Sequence, residues 1–170
     1  MAMPQKDPIL IFTTGGTIDK QYFDATSAYQ ITDSVIARLL ELGRVRTPFE
    51  IVELMRKDSL DLTDADRARI AAAVRGATSK RIMITHGTDT MTQTAATLKS
   101  IADKTIVLVG ALAPARFSES DASFNLGMAF ATAQVASPGV YITMNGGVFP
   151  ANAVRKDREK GIFVQIEPAN

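Results

Sequence analysis

Apolar residues in this chain fall into short dense runs, separated by longer stretches in which they recur at helical spacing. Ile9-Leu10-Ile11-Phe12 is the first run and reads as a strand. Phe49 to Leu54, Ile82-Met83-Ile84-Thr85, Ile106-Val107-Leu108-Val109 and Val140-Tyr141-Ile142-Thr143 read as four more. Between them lie four helical stretches. Asp33 is placed to cap a helix that carries Val35, Ile36, Leu39 and Leu40 and ends near Gly43. Thr63 caps a second, from about Asp64 to Val74, closed by Gly76. Met91 to about Ile101 and Ala122 to Val135 make the third and fourth. Asp19 to Gln30 is polar and aromatic with no helical period, so it reads as a loop or irregular hairpin. Asn145-Gly146-Gly147 turns the chain, and Ile162 to Ile166 fits one arm of a terminal hairpin.

Strands that alternate with helices, and are apolar almost throughout, predict an α/β fold: a parallel sheet flanked by helices on both faces, flavodoxin-like or Rossmann-like. Right-handed crossovers are expected between its strands. At 170 residues, 1–170 is expected to be a single domain. A formal net charge of +1 supplies no field to recruit nucleic acid or an anionic membrane. The chain has no cysteine, which removes disulfides and thiolate chemistry, and its single histidine removes a multi-histidine zinc site. No apolar run approaches the roughly 20 residues that span a bilayer. Met1 to Asp7 lacks a signal-peptide core, so a cytoplasmic protein is expected.

Chemistry concentrates at two strand ends. The first strand runs into Thr13-Thr14-Gly15-Gly16-Thr17-Ile18, and the third into His86-Gly87-Thr88-Asp89-Thr90. In open α/β sheets ligands bind at that edge. The first segment lacks the glycine spacing and the lysine of a phosphate loop. It reads either as a tight turn or as the seat of a threonine nucleophile, which needs a base to take its proton. Asp89 reads as a helix N-cap, or as a carboxylate that grips an ammonium group or orients a lysine. Lys156, within the mixed-sign run Arg155 to Lys160, reads on pattern as a surface charge in a solvated turn, and otherwise as a base. His86 is expected to be packed and structural. Tyr29 reads as a loop anchor, or as a phenol that closes over Thr17. Asp58-Ser59-Leu60-Asp61 follows the second strand as a turn, with Ser59 the candidate contact for a substrate carboxylate.

Together these segments resemble the bacterial-type L-asparaginase family, which includes the asparaginase-glutaminases. Thr14 to Ile18 is similar to its T-G-G-T-I signature and His86 to Thr90 to its H-G-T-D-T signature. Asp58-Ser59-Leu60-Asp61 between them and Gly110-Ala111-Leu112-Ala113-Pro114 after them keep the family's order. The resemblance implies hydrolysis of L-asparagine to L-aspartate and ammonia, without metal or organic cofactor. It implies Thr17 as the acylated nucleophile, Tyr29 in a lid that bonds to it, and Thr88, Asp89 and Lys156 as a second catalytic triad. Ser59 would hold the substrate α-carboxylate and Asp89 its α-ammonium. Gly16, Leu60, Gly87 and Thr88 would line the substrate, with backbone N–H groups near Gly16 and Thr88 stabilising the oxyanion.

Two departures stand out. Family members have a second domain, which lends an acidic residue to a neighbouring subunit's site; a short single-domain form without it is expected here. Leu60 stands where the family has Gln or Ser. A homo-oligomer, dimer or tetramer, is expected. Glutamine as the preferred substrate, or a module that binds an amino acid without turning it over, are the alternatives.

Overall fold

The computed structural model describes residues 7–167; the N-terminal stretch Met1 to Lys6 used for the expected localisation lies outside them. Six strands form the main sheet: β1 (Ile9–Gly15), β4 (Phe49–Lys57), β5 (Arg81–Thr85), β6 (Thr105–Val109), β7 (Gly139–Met144) and β8 (Gly147–Pro150). Their order is β4-β1-β5-β6-β7-β8, parallel except for β8. The polar, aromatic stretch after β1 is a small hairpin of β2 (Lys20–Phe23) and β3 (Ala28–Ile31). Another, β9 (Val154–Asp157) with β10 (Ile162–Gln165), ends the described chain.

Four helices cover the sheet: α1 (Ile36–Leu42), α2 (Asp64–Gly76), α3 (Met91–Leu98) and α4 (Ala122–Val135). Alternate strand residues feed two cores, which is why the central strands are apolar almost throughout. Phe12, Ile82, Ile84, Ile106 and Leu108 pack with α2 and α3. Ile9, Ile11, Met83, Val107 and Val109 pack with α1 and α4.

This layering corrects the expected handedness. The chain steps from β1 outward to β4 through α1 on one face, then back past β1 to β5 and on to β6 through α2 and α3 on the other. Those three crossovers share one hand. The step from β6 to β7 runs in the same direction as the step from β5 to β6, yet α4 lies on the face of α1. The β6–α4–β7 crossover therefore has the opposite hand. Since right-handed crossovers are the rule in about 98% of cases, this is the left-handed one.

Two local expectations also change. Thr63 caps α2 as expected, in a reciprocal capping box with Asp66. Asp33 does not cap α1: Val35 is the N-cap residue, and its N–H donates to the buried carboxylate of Asp19 at 2.9 Å. Asp33 instead faces solvent beside Arg56. The edge strand β8 follows from Asn145 (φ 54°) and Gly146 (φ 78°), both left-handed. That is the geometry of a two-residue hairpin turn, so the chain doubles back antiparallel rather than merely bending.

Candidate active site

The strand order reverses between β1 and β5, which are parallel neighbours, and the ends of those two strands carry both threonine-rich segments. Switch points of this kind open a crevice above the sheet. Thr14 Oγ1 donates to the carbonyl of Thr85 at 2.7 Å and ties the two ends together. Gly15 (φ 97°) and Gly16 (φ 89°) then turn the chain in a region that L-residues avoid. A Cβ on Gly16 would stand 2.5 Å from the backbone nitrogen of Gly87, and a Cβ on Gly87 would stand 2.7 Å from Cβ and Oγ of Ser59. Three turns thus touch in sequence, and only residues without side chains let them. Their contact brings the segments that carry Thr17, Thr88 and Ser59 side by side.

Lys156 enters from β9. Its Nζ donates to Thr88 Oγ1 at 2.8 Å and to Asp89 Oδ1 at 2.8 Å. Its side chain is 15% exposed and that of Asp89 34%. The run Arg155 to Lys160 is therefore not wholly a solvated turn: Arg155 to Asp157 form a strand, and its alternation turns Lys156 inward. Lys156 pairs with Phe163 across the hairpin, and the N–H of Phe163 donates to Asn145 Oδ1 at 2.8 Å, which anchors that hairpin to the β7–β8 turn. Asp89 is not the helix cap. Thr90 precedes α3, and its Oγ1 donates to the carbonyl of Ser59 at 2.7 Å.

The other candidate residues are placed less tightly. Ser59 Oγ is buried and has no hydrogen-bond partner among the described residues. A buried hydroxyl left unpaired costs free energy and asks for a polar ligand. The Thr17 side chain is half-buried at the start of a short 3₁₀ turn (Thr17–Asp19), and its hydroxyl makes no hydrogen bond among the described residues. Tyr29 lies on β3 and is 51% exposed; its ring meets Tyr22 at 5.2 Å and Phe117 at 6.1 Å, and its hydroxyl is not bonded to Thr17. Leu60 points outward, 65% exposed.

One pair in this region escaped the sequence reading. Lys20 Nζ lies 2.5 Å from Asp58 Oδ2 and links the first residue of the β2–β3 hairpin to the Ser59 turn. Asp58 also accepts the N–H of Leu60 at 3.2 Å. Burial pushes its carboxyl up, but Lys20 and the backbone N–H groups outweigh it and hold Asp58 below the usual carboxylate range. Nothing in the spacing of Lys20 and Asp58 announces the contact; it exists only once the hairpin folds back over β4.

His86 is fully buried, as expected for a packed residue. Burial, opposed by the Gly87 carbonyl, lowers its pKa to about 4, so it is neutral at physiological pH. The folded value lies below the unfolded 6.5, so the unfolded chain binds the extra proton. Stability should be constant above pH 6.5, fall as the pH drops from 6.5 towards 4, and level off below, by up to about 3 kcal/mol. Asp19 opposes part of this. Burial raises its carboxyl, so protonation on acidification returns stability there. Urea midpoints measured between pH 7 and pH 4 check the sum: a net fall is expected, and His86→Asn should flatten it.

Among the described residues, no group of three or more His, Cys, Asp or Glu side chains is set to hold a metal ion, and no helix is long and apolar enough to cross a membrane. A model of the family described as Asparaginase, N-terminal matches residues 8–162. The chain belongs to the asparaginase family. It is 30% identical over 165 residues to a glutaminase-asparaginase of Acinetobacter glutaminasificans, an alignment that covers 89% of this chain and 50% of that one. A component of the glutamyl-tRNA(Gln) amidotransferase of Methanococcus vannielii is 29% identical over 158 residues, 85% of this chain and 36% of that one. Among solved structures, the thermostable L-asparaginase from Thermococcus kodakarensis superposes with a TM-score of 0.82 at 26% identity, over 95% of this chain and 52% of that one. This asparaginase-family chain spans about half the length of the curated asparaginases and glutaminase-asparaginases it matches.

Proposed function

We propose that the chain hydrolyses the side-chain amide of L-asparagine to L-aspartate and ammonia through an acyl-enzyme on Thr17. The observation that carries this reading is the contact of one lysine nitrogen, Lys156 Nζ, with both Thr88 Oγ1 and Asp89 Oδ1 at 2.8 Å. It stands beside a glycine-turned threonine whose hydroxyl is unengaged.

Thr17 Oγ forms a bond to the amide carbon and the carbon–nitrogen bond breaks; Lys156, as the neutral amine in this step, takes the Thr17 proton through Thr88 and gives it up to the departing nitrogen, which leaves as ammonia. Asp89 keeps Lys156 in line. Water then attacks the ester, releases aspartate and returns the proton to Thr17. The unpaired Ser59 hydroxyl takes the substrate α-carboxylate, and Asp89, a third exposed, keeps an oxygen for the α-ammonium. Gly16, Gly87, Thr88 and the outward Leu60 border the substrate. Tyr29 acts after the β2–β3 hairpin closes and brings its phenol to Thr17. No metal or organic cofactor is assigned a role. The protein works in the cytoplasm as a homo-oligomer, dimer or tetramer.

Relatives named glutaminase-asparaginase favour one second reading, glutamine as a co-substrate. Ammonia release from L-asparagine and L-glutamine, assayed side by side, tests both. Asparagine is expected to turn over faster. Equal or faster release from glutamine would reassign the substrate, and tight amino-acid binding without ammonia would make the chain a binding module.

A further inference from the structure

His86 is buried, neutral and away from solvent, yet it sits at the hinge of the segment that carries Thr88 and Asp89. Its Nδ1 lies 2.6 Å from the carbonyl oxygen of Gly87. A carbonyl only accepts, so Nδ1 carries the proton and donates. Nε2 is then the acceptor, and it takes the hydroxyl of Thr94, one turn into α3, at 2.7 Å. The His86 N–H donates to the carbonyl of Val109 at 2.9 Å, so the residue is fixed from the β6 side as well.

The Gly87–Thr88 peptide is planar and trans, so its C=O and N–H point in opposite directions. His86 draws the carbonyl into the core. The Thr88 N–H is thereby turned out of the core, and it donates to no acceptor among the described residues. Neighbouring turns pack against this peptide, but the ring alone gives the Gly87 carbonyl a hydrogen bond among the described residues. Gly87 has no side chain, with Ser59 where a Cβ would stand, and Gly110 has none either, with the His86 carbonyl in the corresponding place. A glycine has no Cβ to restrict φ and ψ, so the hydrogen bond on its carbonyl selects the orientation of this peptide.

We propose that His86 is a positioning residue for the reaction: through Nδ1 it fixes the Gly87–Thr88 peptide so that the Thr88 N–H is aimed at the oxyanion that forms when Thr17 attacks. This rests on the hydrolase reading of the site. A donor aimed in advance at developing charge stabilises the transition state more than the ground state, so its misalignment lowers kcat and leaves KM nearly unchanged. His86 neither touches substrate nor exchanges a proton in the cycle.

Two substitutions separate the ring's two nitrogens. The amide of asparagine places an N–H where Nδ1 stood, and that of glutamine places its carbonyl oxygen, an acceptor, where Nε2 stood. His86→Asn keeps the bond to Gly87 and loses Thr94; His86→Gln does the reverse. Both remove the ring and both keep a polar group in the pocket. For His86→Asn, kcat on L-asparagine should stay within about threefold of the parent. For His86→Gln it should fall about 10- to 100-fold, below the 10²–10³ cost of deleting a donor outright, with KM within about threefold. The pH–rate profile should keep its shape in both. A two-dimensional ¹H–¹⁵N spectrum supplies a readout that does not depend on turnover: the Thr88 amide should be a single sharp resonance in His86→Asn and broadened or doubled in His86→Gln.

Equal loss in the two variants, a change confined to KM, or a sharp Thr88 amide in His86→Gln would each overturn the proposal. A tenfold loss in His86→Asn would do so alone, even if His86→Gln did not fold. If the parent released no ammonia while the amide pattern held, the hydrolase reading would fail and the fixing of this peptide by His86 would stand without its catalytic purpose, overturning that half of the proposal.

Discussion

Thr17→Ala should lower ammonia release from L-asparagine by at least about 10⁴-fold while the protein remains folded. The rate loss follows from its proposed role: remove the atom that forms the acyl bond and no covalent path is left. Knockouts of a covalent catalytic group cost about 10⁶ at the extreme, with part of the enhancement retained by binding and oxyanion contacts. The tolerance of the fold follows from the geometry. The Thr17 hydroxyl is bonded to nothing among the described residues and its side chain is half-buried, so alanine strands no partner and opens no cavity in the core. The melting temperature should stay within a few degrees of the parent. Near-normal turnover in a folded Thr17→Ala protein would move the nucleophile to Thr88, whose hydroxyl already meets Lys156.

Lys156→Met should have the second largest effect, a fall in kcat of about 10²- to 10⁴-fold, the range that positioned acid–base groups supply. Methionine keeps the length and much of the volume of the stem, so packing against the hairpin survives. The stability change differs from that of a surface lysine. The ammonium is mostly buried and holds two partners, but Asp89 is a third exposed and can rehydrate when left alone. The expected loss is therefore about 1–2 kcal/mol, between that of an exposed pair and that of a fully buried one. Chemical denaturation and steady-state rates measured on the same preparation check both halves. A kcat within about threefold of the parent, a barrier change under roughly 1 kcal/mol, would remove Lys156 from the mechanism.

The fold was legible where one physical signal dominated. Dense apolar runs located β1 and β5 to β7, because strands covered on both faces leave few polar positions, and the apolar residues Phe49 to Leu54 located the edge strand β4 despite Glu50 and Glu53. Thr63 located the start of α2, because its hydroxyl and Asp66 satisfy donors that lie within four residues. What escaped depends on contacts distant in sequence. The carboxylate that holds the chain at the start of α1 is Asp19, sixteen residues upstream of Val35, so Asp33 looked like the better local choice. The opposite hand of the β6–α4–β7 crossover has no local cause in sequence; α4 is uncharged throughout and would suit either face of the sheet.

The candidate site divides in the same way. Gly16, Thr17, Gly87, Thr88 and Asp89 announce themselves because turn geometry and chemistry share one short segment. Lys156 does not. Its neighbours are charged, and only the pairing of β9 with β10 decides which of them turns inward. The Lys20–Asp58 pair is invisible for the same reason, since 38 residues separate its members. Tyr29 is the opposite case: its place in a lid is implied by resemblance, while the hairpin here holds it against Tyr22 and Phe117.

The central claim is that a bond forms between Thr17 and the substrate acyl group, and acid quench during turnover of L-asparagine, followed by peptide mass mapping, tests it most directly. The account predicts one added aspartyl group, joined as an ester on the peptide that contains Thr17, absent from Thr17→Ala and lost with time as aspartate appears. An adduct on the peptide that contains Thr88, or steady ammonia release by Thr17→Ala, would contradict it.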